Sequence, residues 1–383
     1  MTPLEAATHQ DPYDYYARLR RHDELLFDEG LGLWIASTAR RVEAVLAHPD
    51  CRVRPLHEPV PSSIAGSAAG RVFAALMRMN DGAGHRCPRA IIEPALATVN
   101  IADVVAQAIG PVDNLNLFMF TFPVSVIASL LGVPREHLQE VAGLTRDFVA
   151  CLSPLSSDAR LRDANAGASR LREVFSAVLE DTTLRAHIRR RYEASEWQDP
   201  EALIANLIGL LSQTCEASAG LIGNTLVALH RRPGLLEEIQ RTPTLAGALV
   251  EEVARYDSPV QNTRRFVARR CTIGDRILEA GDTVLVLLAS ANRDPAANPA
   301  PDSFLLERTQ RRLFSFGAGH HQCPGQHLAL NIAAHAIRAL LSLQPATLAG
   351  SLAFSYWPSL NGRIPCFQTS SKTAVSQTRE FCA

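Results

Sequence analysis

One cysteine lies in a glycine-rich segment whose composition suits the presentation of a metal ligand. Cys323 belongs to the run FGAGHHQCPG, residues 316–325, and an apolar segment typical of a helix, QHLALNIAAHAIRALLSL, follows it. Glycines adopt left-handed backbone and allow close approach to a large flat ligand. A thiolate near a helix N-terminus is stabilised by unpaired N–H groups and by the helix dipole. The segment therefore predicts an anionic sulfur offered to a metal inside a flat cofactor.

The run resembles the haem-binding segment of the cytochrome P450 family, Phe-Gly-x-Gly-x-His/Arg-x-Cys-x-Gly. Its defined places are filled here by Phe316, Gly317, Gly319, His321, Cys323 and Gly325. The resemblance implies that Cys323 is the axial thiolate ligand of haem b iron and that His321 contacts a haem propionate. A thiolate donates electron density to iron and favours O–O cleavage. Two other interpretations stay open: an inert buried cysteine, or a zinc site without the usual paired ligand spacing, formed by His320, His321, Cys323 and His327.

Further cations match the propionate-binding places of the same family. His85 and Arg89, in GAGHRCPRAII, match His-x-x-x-Arg; their spacing puts both on one helical face, where they would offset the haem carboxylates. Pro88 between them is unusual within a helix and favours a helix start at that point. In NTRRFVARR, Arg265 takes the place of a propionate-binding arginine, and Arg264 is the alternative if the register differs by one.

A second family motif, Glu-x-x-Arg, is matched by Glu252 and Arg255 in VEEVARY. The spacing again places both side chains on one helical face, where they can pair. By resemblance, this is a buried structural pair that locks the cysteine loop and takes no part in catalysis. The segments ANRDP, residues 291–295, and PDSFLLER match the family's approach to that loop.

The long middle helix departs from the family pattern Ala-Gly-x-Asp/Glu-Thr-Thr. Glu216 keeps the acid, but Ala217 replaces the threonine whose hydroxyl usually helps to deliver protons, and Thr214 replaces a glycine. Thr214 and Ser218 lie one turn apart and could hold a water, although such hydroxyls often bind the preceding carbonyls of their own helix. Glu216, Thr214 and Ser218 are therefore the predicted catalytic residues.

Some macrolide-hydroxylating relatives have Glu-Ala-Ser at this place and complete the relay with a hydroxyl of the substrate. We therefore expect a monooxygenase that hydroxylates or epoxidises a polyketide- or peptide-like secondary metabolite with substrate-assisted proton delivery. Family position suggests substrate contacts from the loop HEPVPSSIAGSAAG, residues 57–70, and from Leu210, Ala217, Val260, Asn262 and Leu360. Two alternatives remain: peroxide-driven or non-oxygenating haem chemistry such as cyclisation or dehydration, or a P450-like scaffold that recruits a partner without catalysis.

The surrounding elements predict one mainly α domain of the cytochrome P450 fold, residues 1–383, with a small β region. The longest helix should start at Asp199-Pro200, a good N-cap and first-turn pair, and end before Pro233-Gly234. Strand patterns occupy RRFVARRCTIG, DRILEAG and DTVLVLLAS. Turns are expected at Gly274-Asp275 and at Ala280-Gly281-Asp282.

Composition limits the remaining possibilities. The 383 residues carry a net charge of −1, which offers no sign of a nucleic-acid partner. Eight scattered cysteines without a CxxC pair indicate neither a disulfide framework nor a cysteine-rich zinc site, and they favour a reducing cytoplasm. The apolar stretch 202–229 contains polar side chains that would be costly in lipid, so we expect no membrane anchor. The chain leaves no room for a fused reductase, so electrons should come from a separate ferredoxin or flavodoxin and its reductase.

Overall fold

Helices make up most of the chain in the computed structural model, which describes residues 1–109, 112–177, 182–343 and 352–368. They are α1 (Tyr13–Arg20), α2 (Ala39–Ala47), α3 (Ala68–Ala75), α4 (Ala83–Leu96), α5 (Ala102–Ala108), α6 (Leu115–Leu130), α7 (Leu138–Val149), α8 (Asp158–Ser176), α9 (Thr183–Glu193), α10 (Pro200–His230), α11 (Pro233–Arg241), α12 (Ala246–Tyr256), α13 (Leu288–Asn292) and α14 (Gln326–Leu343). The predicted mainly α fold is confirmed.

The long helix α10 forms the centre of the helical core. The Asp199 side chain caps it by accepting a hydrogen bond from the Ala202 N–H, and Pro200 occupies the first turn, as predicted. Helices α3, α6, α7, α8, α12 and α14 all pack against it. Such packing explains why its sequence is apolar on most faces. None of the helices in the described residues, α10 included, has the length and hydropathy needed to cross a membrane.

The β region is a five-stranded sheet with two small hairpins. The strands are β1 (Leu26–Asp28), β2 (Leu33–Ala36), β3 (Cys51–Arg52), β4 (Thr263–Val267), β5 (Cys271–Ile273), β6 (Arg276–Leu278), β7 (Thr283–Val286), β8 (Phe354–Tyr356) and β9 (Pro365–Phe367). The sheet has the order β1-β2-β7-β4-β3, with β2 and β7 parallel and the other pairs antiparallel. Strands β4 to β7 follow the prediction, whereas β1, β2, β3, β8 and β9 were not predicted.

The predicted turns between these strands also form. Gly274 has a φ of 65° and Gly281 a φ of 97°, which glycine adopts without strain. At Gly274 a side chain would also collide with the guanidinium of Arg41. This turn therefore requires glycine for conformation and for space.

Helix α4 begins earlier than the sequence suggested. It starts at Ala83 and contains Pro88 and Pro94 in its interior, so the expected start at Pro88 was wrong. Pro88 is the sixth residue of the helix, and its missing N–H removes a single intrahelical hydrogen bond. His85 and Arg89 therefore share one continuous helix.

Candidate active site

The cysteine loop, residues 316–325, closes on itself immediately before α14. The N–H of Cys323 donates to the carbonyl oxygen of Phe316 over 2.8 Å. Gly317 and Gly319 have φ values of 70° and 67°. A Cβ on Gly319 would lie 3.0 Å from the carbonyl oxygen of Leu46 in α2. The glycines thus permit both the turns of the loop and its direct packing on α2.

Arg89 connects α4 to the cysteine loop. Its Nη1 donates to the carbonyl oxygens of His320, over 3.0 Å, and Gln322, over 2.8 Å. Its Nε and Nη2 each bind a carboxylate oxygen of Glu93 over 2.8 Å. Every nitrogen of the guanidinium is therefore engaged. The structure brings Arg89 to the backbone of the loop, and its role toward a propionate stays a prediction.

The thiol of Cys323 lies among protein atoms. Burial raises its pKa, while a backbone N–H of Gly325 and the Arg89 cation act in the opposite direction. Because α14 starts at Gln326, the sulfur precedes the first helical residue by three positions. Hydrogen bonds and the nearby cation are therefore the local features that favour a thiolate.

His85 and His321 meet although they come from different elements. Their ring centroids are 4.1 Å apart, and Nε2 of His321 lies 3.2 Å from Oδ1 of Asp81. Burial lowers the pKa of His85 to about 4, and the neighbouring His321 and Arg89 side chains add to the shift. His85 is therefore a neutral donor or acceptor near neutral pH.

Arg265 is the buried member of the predicted arginine pair on β4. Only 6% of its surface is exposed, whereas Arg264 is less buried. Its Nη1 donates to the Arg264 carbonyl over 2.8 Å, but its Nε is buried with no hydrogen-bond partner among the described residues. Burial lowers the pKa of this guanidinium, a shift that the Asp81 carboxylate partly offsets. An unpaired, buried N–H of a cation suits an incoming carboxylate such as a haem propionate.

Glu252 and Arg255 form a fully buried ion pair, with Nη2 of Arg255 2.7 Å from the carboxylate. Arg311 and Arg308 approach the same carboxylate at 3.0 and 3.4 Å. Arg255 also donates to the carbonyl oxygen of Pro301 over 2.7 Å. The pair thus holds the segment that leads to the cysteine loop; its spacing predicted the pairing, and the family resemblance implied the structural role.

A buried amide extends this support to the loop itself, and the sequence did not reveal it. Oδ1 of Asn292 accepts from the N–H of Phe314 over 2.6 Å, and its Nδ2 donates to Oγ of Ser315 over 2.8 Å. Arg255 donates in turn to the Asn292 carbonyl over 3.3 Å. The only signal in the sequence was the ANRDP segment. Its sequence does not indicate that the side-chain amide of Asn292 binds the cysteine loop.

A cavity of about 760 Å³ lies against one face of α10. Ala217, Val260 and Leu360, three of the predicted substrate contacts, line it. Leu210, Asn262 and the loop 57–70 do not. Nδ2 of Asn262 instead donates to the Leu360 carbonyl over 2.8 Å and so supports one wall from behind. The cysteine loop is not part of this wall.

Of the predicted catalytic residues, Glu216 faces the cavity. The hydroxyl of Thr214 donates to the carbonyl oxygen of Leu210 over 2.8 Å, the local bond that competes with holding a water. Ser218 is 2% exposed and does not line the cavity. The structure therefore does not bring these two hydroxyls to Glu216 on the cavity wall.

The charges on the cavity wall are mixed: it carries Arg78, Arg146, Arg160, Asp147, Asp163 and Glu216. Burial raises the pKa of Glu216, and the Arg78 and Arg160 cations oppose this shift. The side chains of Glu216 and Arg78 are both exposed, and both face the cavity. We missed Arg78 from the sequence, where its only signal is a lone charge in the apolar run ALMRM.

The structure does not bring the four residues of the cysteine loop considered for zinc together as a metal site. Within the described part of the chain, the group of three side chains with metal-ligating atoms within 4.8 Å of one another is His48, Cys51 and Cys271. It includes none of the four loop residues considered for zinc.

Comparison with known proteins agrees with the geometry of the loop and the fold. The family model described as Cytochrome P450 matches residues 227–342. The chain is 30% identical to the vitamin D(3) 25-hydroxylase of Pseudonocardia autotrophica, over 84% of this chain and 83% of that protein. It is also 30% identical to the cytochrome P450 monooxygenase PikC of Streptomyces venezuelae, over 88% of this chain and 84% of that protein.

The fold is shared with solved structures. P450BioI, in complex with an acyl carrier protein ligated to hexadec-9Z-enoic acid, matches with a TM-score of 0.78 at 24% identity. The match covers 94% of this chain and 97% of that one.

Proposed function

Since the chain belongs to the cytochrome P450 family and is a monooxygenase of that family, we propose that it inserts one oxygen atom into a C–H bond or an alkene of a polyketide- or peptide-like secondary metabolite. The observation that carries the proposal is the α10 wall of the cavity, where Glu216 stands beside Ala217 in place of the family's usual hydroxyl. A volume of about 760 Å³ is in the range of cavities that bind sizeable organic ligands.

The residues present fit a haem b group. Cys323 would ligate the iron, and His85, Arg265 and His321 would bind the propionates, with Arg89 as a further cation beside the loop. The unpaired, buried Nε of Arg265 supports this assignment because it needs an acceptor. Bound haem iron with a thiolate ligand supplies the activation of dioxygen.

Glu216 is the proposed proton donor to the cavity. Its raised pKa keeps a larger fraction of the carboxyl protonated than in water, which suits a group that gives up protons near neutral pH. Neither Ala217 nor Thr214 offers a free hydroxyl on the wall. A hydroxyl of the substrate, together with ordered water, would complete the relay. Electrons would come from a separate ferredoxin or flavodoxin and its reductase.

The proposal is tested by the amount of product formed per NADPH consumed in a reconstituted electron-transfer system. The substrate is a macrolactone or cyclic peptide chosen from those that bind the haem-loaded protein. Ala217→Thr should leave this coupling unchanged, because the substrate already supplies the hydroxyl. Thr214→Ala is the matched control and should also have no effect, whereas Glu216→Gln should slow turnover by about tenfold or more.

A large gain in coupling for Ala217→Thr would refute substrate-assisted delivery. Isotopically labelled dioxygen separates the remaining possibilities, because a monooxygenase places the label in the product. Peroxide-driven chemistry would instead take its oxygen from added peroxide, and a cyclisation or dehydration would incorporate none.

A further inference from the structure

Arg78 places a positive charge on the wall of the cavity used by the proposed function. It lies in a short 3-10 turn, Met77–Met79, between α3 and α4. It shares the cavity wall with Glu216 and Ala217 of α10. An arginine in this position contacts whatever molecule fills that part of the cavity.

The guanidinium of Arg78 lacks a protein partner. Among the described residues, no acceptor lies within hydrogen-bonding distance of it, and Glu216 influences it electrostatically without coming within the 4.0 Å of an ion pair. The Arg78 side chain is exposed and faces the cavity, so no protein group in the described part of the chain competes for its donors. Its five N–H donors therefore remain available to a molecule in the cavity.

The backbone that carries Arg78 is held firmly against α10. Oδ1 of Asn206 accepts from the N–H of Met77 over 2.7 Å, and its Nδ2 donates to the Ala75 carbonyl over 3.0 Å. Asn206 is only 1% exposed. A Cβ on Gly209 would lie 2.9 Å from Cδ2 of Leu76, so the two segments are in close contact. The backbone at Arg78 is thus fixed in advance of any ligand, which lowers the entropic cost of binding.

We propose that Arg78 binds a carboxylate of the substrate, so that the oxidised metabolite is an organic acid. The wall carries three arginines and three acidic residues, which suits one added negative charge better than the two of a phosphate monoester. A planar carboxylate also matches the two parallel donors of a guanidinium. This inference rests on the proposed function, because it assigns a substrate class to the same cavity.

A simpler role for Arg78 would be to neutralise Glu216. The absence of an ion pair between them argues against it, since two opposite charges on one wall would gain from direct contact. Their separation leaves room for an anion beside the arginine.

The test measures binding by isothermal titration calorimetry to the haem-loaded protein at neutral pH. Decanoate is the acidic probe, and 1-decanol is the neutral probe of equal chain length. The wild type should bind decanoate at least as tightly as 1-decanol. Arg78→Met should weaken decanoate binding about 10-fold or more and leave 1-decanol within about twofold, because a hydrogen bond to a charged group is lost.

Further variants keep the test decisive. Arg78→Lys should retain part of the affinity, and Arg71→Met, which removes an exposed arginine of α3, should change nothing. Glu216→Gln should strengthen decanoate binding, since it removes a nearby acidic group. This variant still tests the inference if Arg78→Met folds poorly. Equal binding of decanoate by wild type and Arg78→Met, or a clear preference of the wild type for 1-decanol, would overturn the inference.

The haem-thiolate assignment and the acid-binding role of Arg78 can be refuted separately. A carbon monoxide difference spectrum without the thiolate-haem band would refute the haem-thiolate assignment, whatever Arg78 binds. A normal band in every variant, with no effect of Arg78→Met on decanoate, would refute the acid-binding role and leave the monooxygenase intact.

Discussion

The imidazole rings of His85 and His321 contact each other in a tilted arrangement, with centroids 4.1 Å apart and an interplanar angle of 37°. One ring belongs to α4 and the other to the cysteine loop, so their contact joins the two elements that would flank a bound haem. Asp81 also contacts His321, at 3.2 Å. Burial, reinforced by the neighbouring His321 and Arg89 side chains, lowers the pKa of His85 to about 4, so its ring is uncharged near neutral pH.

Acidification should destabilise the fold through His85. Its pKa is about 4 in the folded protein against 6.5 for an ordinary histidine, so the unfolded chain binds the proton first as the pH falls. The contribution to the free energy of unfolding is complete above about pH 6.5 and is lost as the pH falls toward 4. Urea unfolding across this window should show a shallower loss in His85→Gln than in wild type. Parallel pH profiles would contradict the assignment.

The buried carboxylate of Glu252 should be essential to the fold. Glu252→Gln leaves Arg255, Arg308 and Arg311 facing a neutral amide, and breaking a buried ion pair costs about 3–5 kcal/mol. Glu140→Gln is the matched control: its ion pair with Arg170 is on the surface and is worth under about 1 kcal/mol. Urea unfolding followed by circular dichroism measures both. Similar losses in the two variants would show that burial of the first pair has no energetic consequence.

Arg89 should order the cysteine loop through its carbonyl contacts. Arg89→Met removes both hydrogen bonds to the loop backbone, and amide hydrogen exchange over residues 317–323 should accelerate by about tenfold. Glu93→Gln disturbs the ion pair but leaves the carbonyl contacts, so exchange in the loop should stay near wild type. If both variants exchange as slowly as wild type, the loop is held by other contacts.

Gly220 should tolerate no side chain within α10. A Cβ there would lie 2.9 Å from the carbonyl oxygen of Arg363 and 3.0 Å from Cβ of Pro259, so Gly220→Ala should cost about 1–3 kcal/mol. Gly143, in the middle of α7, is surrounded by open space, and a Cβ added there would meet no atom within 4 Å. Gly143→Ala should therefore stabilise the protein by about 0.5–1 kcal/mol through helix propensity. Differential scanning calorimetry of the two variants tests the opposite signs.

Much of the site could be found from local patterns. The cysteine loop, its glycine turns and the spacing of Glu252 and Arg255 depend on neighbours a few residues apart, which the sequence displays directly. The side-chain target of Arg89 could not be found in this way, because the loop carbonyls it binds lie more than two hundred positions along the chain. The expected helix start at Pro88 was wrong for a related reason. A proline in the second turn of a helix removes a single hydrogen bond, and the helix persists when the rest of α4 is packed.

The sequence by itself determined the helical class, the capped start of α10, the turns at Gly274 and Gly281, and the cysteine segment that points to haem. These features follow from backbone preferences and from side-chain periods that act over one or two turns. Only the tertiary structure decided that Arg78 faces the cavity, that the Thr214 hydroxyl is already bound within its helix, and that Asn292 supports the loop. Those outcomes depend on which segments pack together, since the direction and solvation of a side chain are properties of the assembled fold.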